Sequence, residues 1–175
     1  FIGTRPRLLW ERLRLARWLR RASRRKSFDV IEAPDYEGWL RFSGPPGVPT
    51  VIRIGGSNLF FDKELNRPGN AFEHGLERAC VVRANFVGAV SHYAARRTLE
   101  LCGVAHRPCT VIYNAVDAEL FSPGGCGQIE PGLVVFVNSL NPKKGIEQLV
   151  EAMNLVCGSH PEAHLAAIGQ DTQTK

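Results

Sequence analysis

The chain has 175 residues, 44% hydrophobic and 22% charged, with a formal net charge of +5. That composition suits one ordinary domain or two incomplete ones, and it excludes wholesale disorder, a collagen-like repeat and a coiled coil. No apolar run approaches the roughly 18 residues of a membrane span and no charged segment leads into an apolar leader core, so the sequence reads as a soluble domain or a piece of one.

The charge is concentrated at one end. Residues 1–26 hold ten Lys/Arg and one Glu, which leaves the rest net acidic at 12 basic against 16 acidic residues. A nucleic-acid-binding domain would carry a basic face interleaved with aromatics across the fold, so no nucleic-acid partner is expected. From Arg5 to Lys26 the spacing predicts a basic amphipathic helix. Leu8, Leu15, Leu19 and Ala22 form one stripe with Leu9 and Ala16 beside it, while Arg14, Arg17, Arg21, Arg24 and Arg25 turn away. Two readings stay open: a surface helix packed on a sheet, or peripheral attachment to an anionic membrane through Arg and the flanking Trp10 and Trp18.

A strand is expected over Phe28–Ala33, then a short helix around Tyr36–Phe42, a turn at Gly44–Gly47 and a second strand over Thr50–Ile54, closed by Gly55-Gly56. Ser57 to Asn70 reads as a long polar loop, of the kind that is usually functional or mobile. Phe72, Leu76, Ala79 and Cys80 mark a helix running to about Ala84, and Phe86–Val90 a buried strand. Ser91 can cap the next helix, whose apolar face is Ala95, Thr98, Leu99 and Cys102 and which Gly103 can stop; Thr110–Tyr113 is the strand after it.

The stretch from Phe121 to Gly127 has linker composition, and beyond it the pattern restarts. A strand over Leu133–Val137 is followed by a turn at Asn141-Pro142 and then a helix from about Lys144. That helix has Ile146, Leu149, Val150, Met153 and Cys157 inward and Gly158 as its stop, and a strand over His164–Ile168 follows. The order of elements predicts an α/β chain of parallel sheets with helices on their faces. A lone βαβ unit cannot cover its sheet, so the chain reads as ending where a second domain begins, and its opening Phe1 reads as an internal start.

Candidate chemistry is sparse. Cys80, Cys102, Cys109, Cys126 and Cys157 are odd in number and lack metal spacing, which points to reduced core thiols and no metal site. His74, His92, His106, His160 and His164 show no ligand spacing either. Asp29, Glu32, Asp35 and Glu37 crowd the carboxyl end of the first strand, where α/β sheets place their sites; they could serve as acid or base, although surface charge is the simpler reading. Lys143-Lys144-Gly145 lies between a strand and a helix N-terminus, where backbone N–H groups and a lysine favour an anion, or it is a solvated turn.

Six strings occur in order: Asp29–Asp35, Val51–Gly56, Leu76–Arg78 with Ala84–Ser91, Val111–Asp117 with Phe121 and Pro123, Phe136–Gly145, and Ala167–Asp171. Together they resemble glycosyltransferase family 4 (glycosyltransferase group 1), retaining enzymes of GT-B fold, over nearly the whole chain from Phe28. The resemblance implies two partial Rossmann-like domains. Residues 1–121, with the basic helix 5–26, would be the end of the acceptor-side domain, 122–131 a linker, and 132–175 the first βαβ unit of the donor-side domain.

By the same resemblance the complete enzyme takes a nucleotide-diphosphate sugar and a glycan or lipid-linked acceptor, in polysaccharide biosynthesis in the cytoplasm; the basic helix 5–26 adds the reading of a peripheral place at the inner face of the membrane. It needs no cofactor or metal. Lys144 and Gly145 match the family's donor-diphosphate turn, Ser139 stands where the family has an Arg, and Gly55-Gly56 stand where it has a His-Gly pair facing the cleft. The Gly-rich loop of the family's first strand would precede Phe1 and its Glu pair would follow Lys175, so turnover by these residues alone is not expected. Two other readings are a truncated non-catalytic module with a membrane- or partner-docking helix, and a GT-B-like nucleotide-sugar epimerase.

Overall fold

A computed structural model describes residues 4–25, 27–42, 44–122 and 129–170. Lys26, Cys126, the linker residues 123–128 and Asp171 lie outside the described residues. The chain divides into two compact units, Phe1–Val116 and Asp117–Lys175.

The first unit opens with helix α1, Thr4–Ser23, and continues with strands β1 (Ile31–Pro34) and β2 (Thr50–Ile54), helices α2 (Asn58–Glu64) and α3 (Ala71–Arg83), strand β3 (Phe86–Ala89), helix α4 (His92–Leu101) and strand β4 (Thr110–Val111). The four strands pair in parallel in the order β1-β2-β3-β4, with Ile31 opposite Thr50, Val51 opposite Phe86 and Gly88 opposite Thr110. Successive parallel steps in one direction with right-handed crossovers carry the connecting helices over one face of the sheet. That face holds the core: Ala33, Ile52, Ile54, Val87 and Ala89 pack with Val81, Leu99 and Cys102. Alternation leaves Glu32, Arg53, Phe86 and Ile112 on the other face, where Phe86 is 63% exposed and Ile112 55%.

Three expectations for this unit are corrected. Tyr36–Phe42 forms turns rather than a helix, because Glu37 (φ 59°) and Gly38 (φ 66°) adopt left-handed backbone that a helix cannot contain. Gly38 also has no room for a side chain, since a Cβ there would lie 2.5 Å from that of Leu76. The expected polar loop Ser57–Asn70 contains α2, whose N-cap Ser57 accepts from the Phe60 N–H and which buries Leu59 and Phe60. Asp35, expected among surface charges, is only 1% exposed.

In α1 the buried stripe runs through Arg12, Ala16 and Leu19, so its most deeply buried member is an arginine. Arg14, Arg17, Arg21, Arg24 and Arg25 are exposed, as the spacing predicts. Ser91 caps α4 by accepting from the Ala94 N–H at 3.1 Å, and Gly103 ends it with φ 71°.

The second unit contains strand β5 (Leu133–Val137), a 3-10 turn at Pro142–Lys144, helix α5 (Ile146–Ser159) and strand β6 (His164–Ile168), with β5 and β6 parallel in register. Met153 is buried, but Val150 and Cys157 are exposed, against expectation. One helix on two strands has too little sheet to cover its whole apolar stripe. Nor does Gly158 stop the helix: it stays in right-handed backbone, which costs only about 1 kcal/mol relative to alanine. Cys80 and Cys102 are buried free thiols with pKa pushed up to about 11 by desolvation, and Cys109 is half-buried.

Candidate functional site

The carboxyl ends of β1, β2, β3 and β4 all open on one edge of the first unit, the edge where parallel sheets bind their ligands. Arg53, next to last in β2, pairs in register with Gly88 of β3. Gly88 presents no side chain, so the guanidinium reaches across β3 to donate to the Ile112 carbonyl and to Asn114 Oδ1, each at 3.2 Å. Glu32, Pro34, Arg53, Gly55, Val90 and Asn114 line a cavity of ≈ 460 Å³. A carboxylate, a guanidinium and an amide thus converge on an otherwise apolar rim, a donor and acceptor set suited to a hydroxyl-rich ligand.

Two buried carboxylates fix the loops around this edge. Asp35, just beyond β1, accepts from the Gly55 N–H at 3.1 Å through Oδ1, while its buried Oδ2 has no partner among the described residues. Burial pushes its pKa above the ordinary 3.8, and the negative charge of Glu77 adds to the rise against the backbone N–H groups that oppose it. Glu77, from the middle of α3, is 1% exposed. Its Oε1 accepts from the Glu37 N–H at 2.9 Å, the Asn58 N–H at 3.1 Å and the Asn58 side-chain amide at 3.0 Å, and its Oε2 from the Leu59 N–H at 2.8 Å. The first-turn donors of α2 are therefore satisfied by one carboxylate and by Ser57.

Sequence reasoning missed Glu77 as a site-shaping residue, because a glutamate inside an amphipathic helix reads as solvent-facing. A signal was present all the same. Glu77 directly follows Leu76 on the inward stripe and is flanked there by Cys80 and Val81.

The two glycines after β2 differ in kind. Gly56 has φ 126° and its Cβ would lie 2.6 Å from the Phe61 ring, so packing and backbone both require glycine. A Cβ at Gly55 would meet nothing within 4 Å. Space at that position is open, and the missing side chain is a chemical difference rather than a steric one.

Asp35 gives a direct prediction. A proton held more tightly folded than unfolded means that the folded chain binds more protons between pH 3.8 and the raised value. Asp35 therefore favours the fold most below 3.8, and this contribution is lost as pH rises through its folded pKa. Asp35→Asn keeps an acceptor for Gly55 and removes the buried charge. Its urea midpoint at neutral pH should equal or exceed that of the parent, with a flatter dependence on acidification. Asp35→Ala should lose about 1–3 kcal/mol by orphaning the Gly55 N–H.

In the second unit Ser139 lies two residues past β5, with its N–H donated to Asn138 Oδ1 at 2.9 Å. Lys144 closes the 3-10 turn and is exposed, and Gly145 (φ 78°) turns the chain into α5. The N-cap of α5 is Gly145, which makes no side-chain cap bond among the described residues, so the positive end of the helix dipole lies beside Lys144. Among the described residues no group of three or more His, Cys, Asp or Glu is placed to hold a metal ion.

A family model for Glycosyltransferase Family 4 matches residues 1–120, the whole first unit and the start of the second. The chain belongs to glycosyltransferase family 4. No curated relative matches it. The glycosyltransferase assignment agrees with the parallel α/β architecture of both units, and it makes sugar donors and acceptors the general partner class.

Proposed function

We propose that the chain is part of a retaining glycosyltransferase that moves a sugar from a nucleotide-diphosphate sugar to a glycan or lipid-linked acceptor. On this reading residues 1–121 form the acceptor side and 132–175 the donor side, joined through 122–131. The observation that carries it is the strand–turn–helix of the second unit, where exposed Lys144, left-handed Gly145 and the uncapped start of α5 offer a cation and free N–H groups to a diphosphate. The cavity of Glu32, Arg53 and Asn114 supplies the acceptor's hydroxyl contacts.

Retaining transfer passes through a cation-like sugar and a departing diphosphate, so charge on the leaving group must be stabilised as the bond breaks. Lys144 and the α5 N-terminus do this electrostatically. Ser139, where the family carries a forked guanidinium, adds a hydroxyl, which leaves Lys144 a larger share of the phosphate contact than in relatives with both cations.

Calorimetric titration of the chain with uridine and guanosine diphosphates tests this. Lys144→Ala should weaken the better ligand about 10–100-fold, the scale of one charge-assisted contact. Equal affinity in the two proteins, or no diphosphate binding by either, removes the donor-side reading.

A further inference from the structure

The outward face of α1 has a composition that glycosyl transfer does not require. Trp10, Arg14, Arg17, Trp18 and Arg21 follow helical spacing and lie opposite the stripe of Arg12, Ala16 and Leu19 that faces the core. Trp10 is 54% exposed and Trp18 60%. The single acid of the helix, Glu11, is already held by Arg7 and Arg12 at 3.0 and 3.1 Å, so it does not neutralise this face. The Arg14 guanidinium stacks over the Trp10 ring at 4.7 Å. At the end of the helix, Trp18, Arg21, Ala22, Arg25 and Phe28 line a cavity of ≈ 610 Å³. That cavity has guanidinium groups at its edge and an apolar, partly aromatic wall.

We propose that this face docks the protein on an anionic phospholipid surface, with the two tryptophans at headgroup level and a lipid phosphate seated between Arg21 and Arg25. Charge complementarity selects the partner. A row of uncompensated arginines flanked by exposed indoles matches a surface that is negative outside and apolar beneath, where the indole has both a polar and an apolar neighbour. A nucleic acid would satisfy the arginines but would leave the tryptophans without an apolar phase. The packing of α1 through its opposite stripe means that docking needs no unfolding. Among the described residues no helix is long and apolar enough to cross a membrane, so the contact is one of surface attachment. The inference is independent of the donor-side reading, because it uses neither Lys144 nor the strand-end cavity.

The test is co-sedimentation of the full chain with phosphatidylcholine vesicles that contain or lack about a third phosphatidylglycerol, with tryptophan emission recorded in parallel. Binding to anionic vesicles at low salt, a blue shift in emission and release as the Debye length falls to about 10 Å are expected. The triple variant R14E/R17E/R21E should bind at least a hundredfold more weakly, since each arginine near such a surface contributes about fivefold. Arg96→Glu, on an exposed arginine of α4, should bind as the parent does, and circular dichroism should show all variants folded. W10A/W18A should lose the blue shift.

Equal binding to neutral vesicles, no binding at low salt, or loss with Arg96→Glu to the same extent as the triple variant would overturn the proposal. Displacement from anionic vesicles by duplex DNA at matched phosphate concentration would also overturn it, in favour of a nucleic-acid face.

Discussion

Replacing Glu77 by alanine is expected to lower the unfolding free energy of the first unit by about 3 kcal/mol or more, read as a fall in the urea midpoint at unchanged slope. The carboxylate accepts four N–H bonds from three residues while almost wholly buried. Truncation removes the acceptor and leaves the Glu37, Asn58 and Leu59 backbone donors to find water or go unpaired, each at about 1–3 kcal/mol where water cannot reach. Glu77→Gln is the sharper variant. Its carbonyl oxygen can keep the Oε1 contacts, but its NH₂ then faces the Leu59 N–H, donor against donor. A loss of about 1–3 kcal/mol is expected, intermediate between parent and alanine. If the glutamine protein matches the parent, the Leu59 bond contributes nothing, and the start of α2 is held by Ser57 and packing alone.

The network also explains which parts of the fold and site were legible in the sequence. Thr50–Ile54, Leu133–Val137 and His164–Ile168 appear with the bounds their runs predict, because short runs rich in aliphatic residues fit a pleated strand and turn residues punctuate them. The Ser91 cap and the Gly103 stop were legible because their chemistry is local. Other features depend on contacts distant in sequence. Tyr36–Phe42 has helical composition, yet Glu37 is held in left-handed backbone by partners 25 and 40 residues away. The helix α2 was hidden because the donors of its first turn are satisfied by a residue of α3, and no local motif records that. Val150 and Cys157 carry helical periodicity, but periodicity shows which face is apolar and not whether anything covers it. The two glycines after β2 look alike in the sequence. Only geometry separates Gly56, which has no alternative, from Gly55, which has space for a side chain.

These contacts converge on the carboxyl edge of the four-stranded sheet. Asp35 holds the backbone after β2, and Glu77 ties that same segment to the turn after β1. The cavity of Glu32, Arg53 and Asn114 therefore sits beside loops anchored by two buried carboxyl groups, which limits how far its polar groups can drift.

Arg12→Ala is expected to cost about 3 kcal/mol and to free α1 from the rest of the first unit. Arg12 is 1% exposed and donates to the Glu37 carbonyl at 3.0 Å through Nε and at 2.7 Å through Nη2. It pairs with Glu11 at 3.1 Å, lies 3.7 Å from the Glu37 carboxylate, and stacks 4.3 Å over the Trp39 ring. Lysine cannot reproduce both the forked bond to one carbonyl and the planar stack, so Arg12→Lys should lose more than half as much stability as the alanine variant. The Glu37 peptide is held from both sides, its C=O by Arg12 and its N–H by Glu77, in a φ of 59° that is unfavourable without support. Once either partner is gone, the turn can relax and the other partner loses part of its role. A double-mutant cycle of Arg12→Ala with Glu77→Ala in urea should accordingly show a combined loss smaller than the sum, with a coupling of about 0.5–3 kcal/mol. Strict additivity would mean that the two side chains stabilise separate regions and that Glu37 keeps its backbone conformation without them. Limited proteolysis resolves the local part: Arg12→Ala should be cut first within α1, and Glu77→Ala first between Glu37 and Leu59.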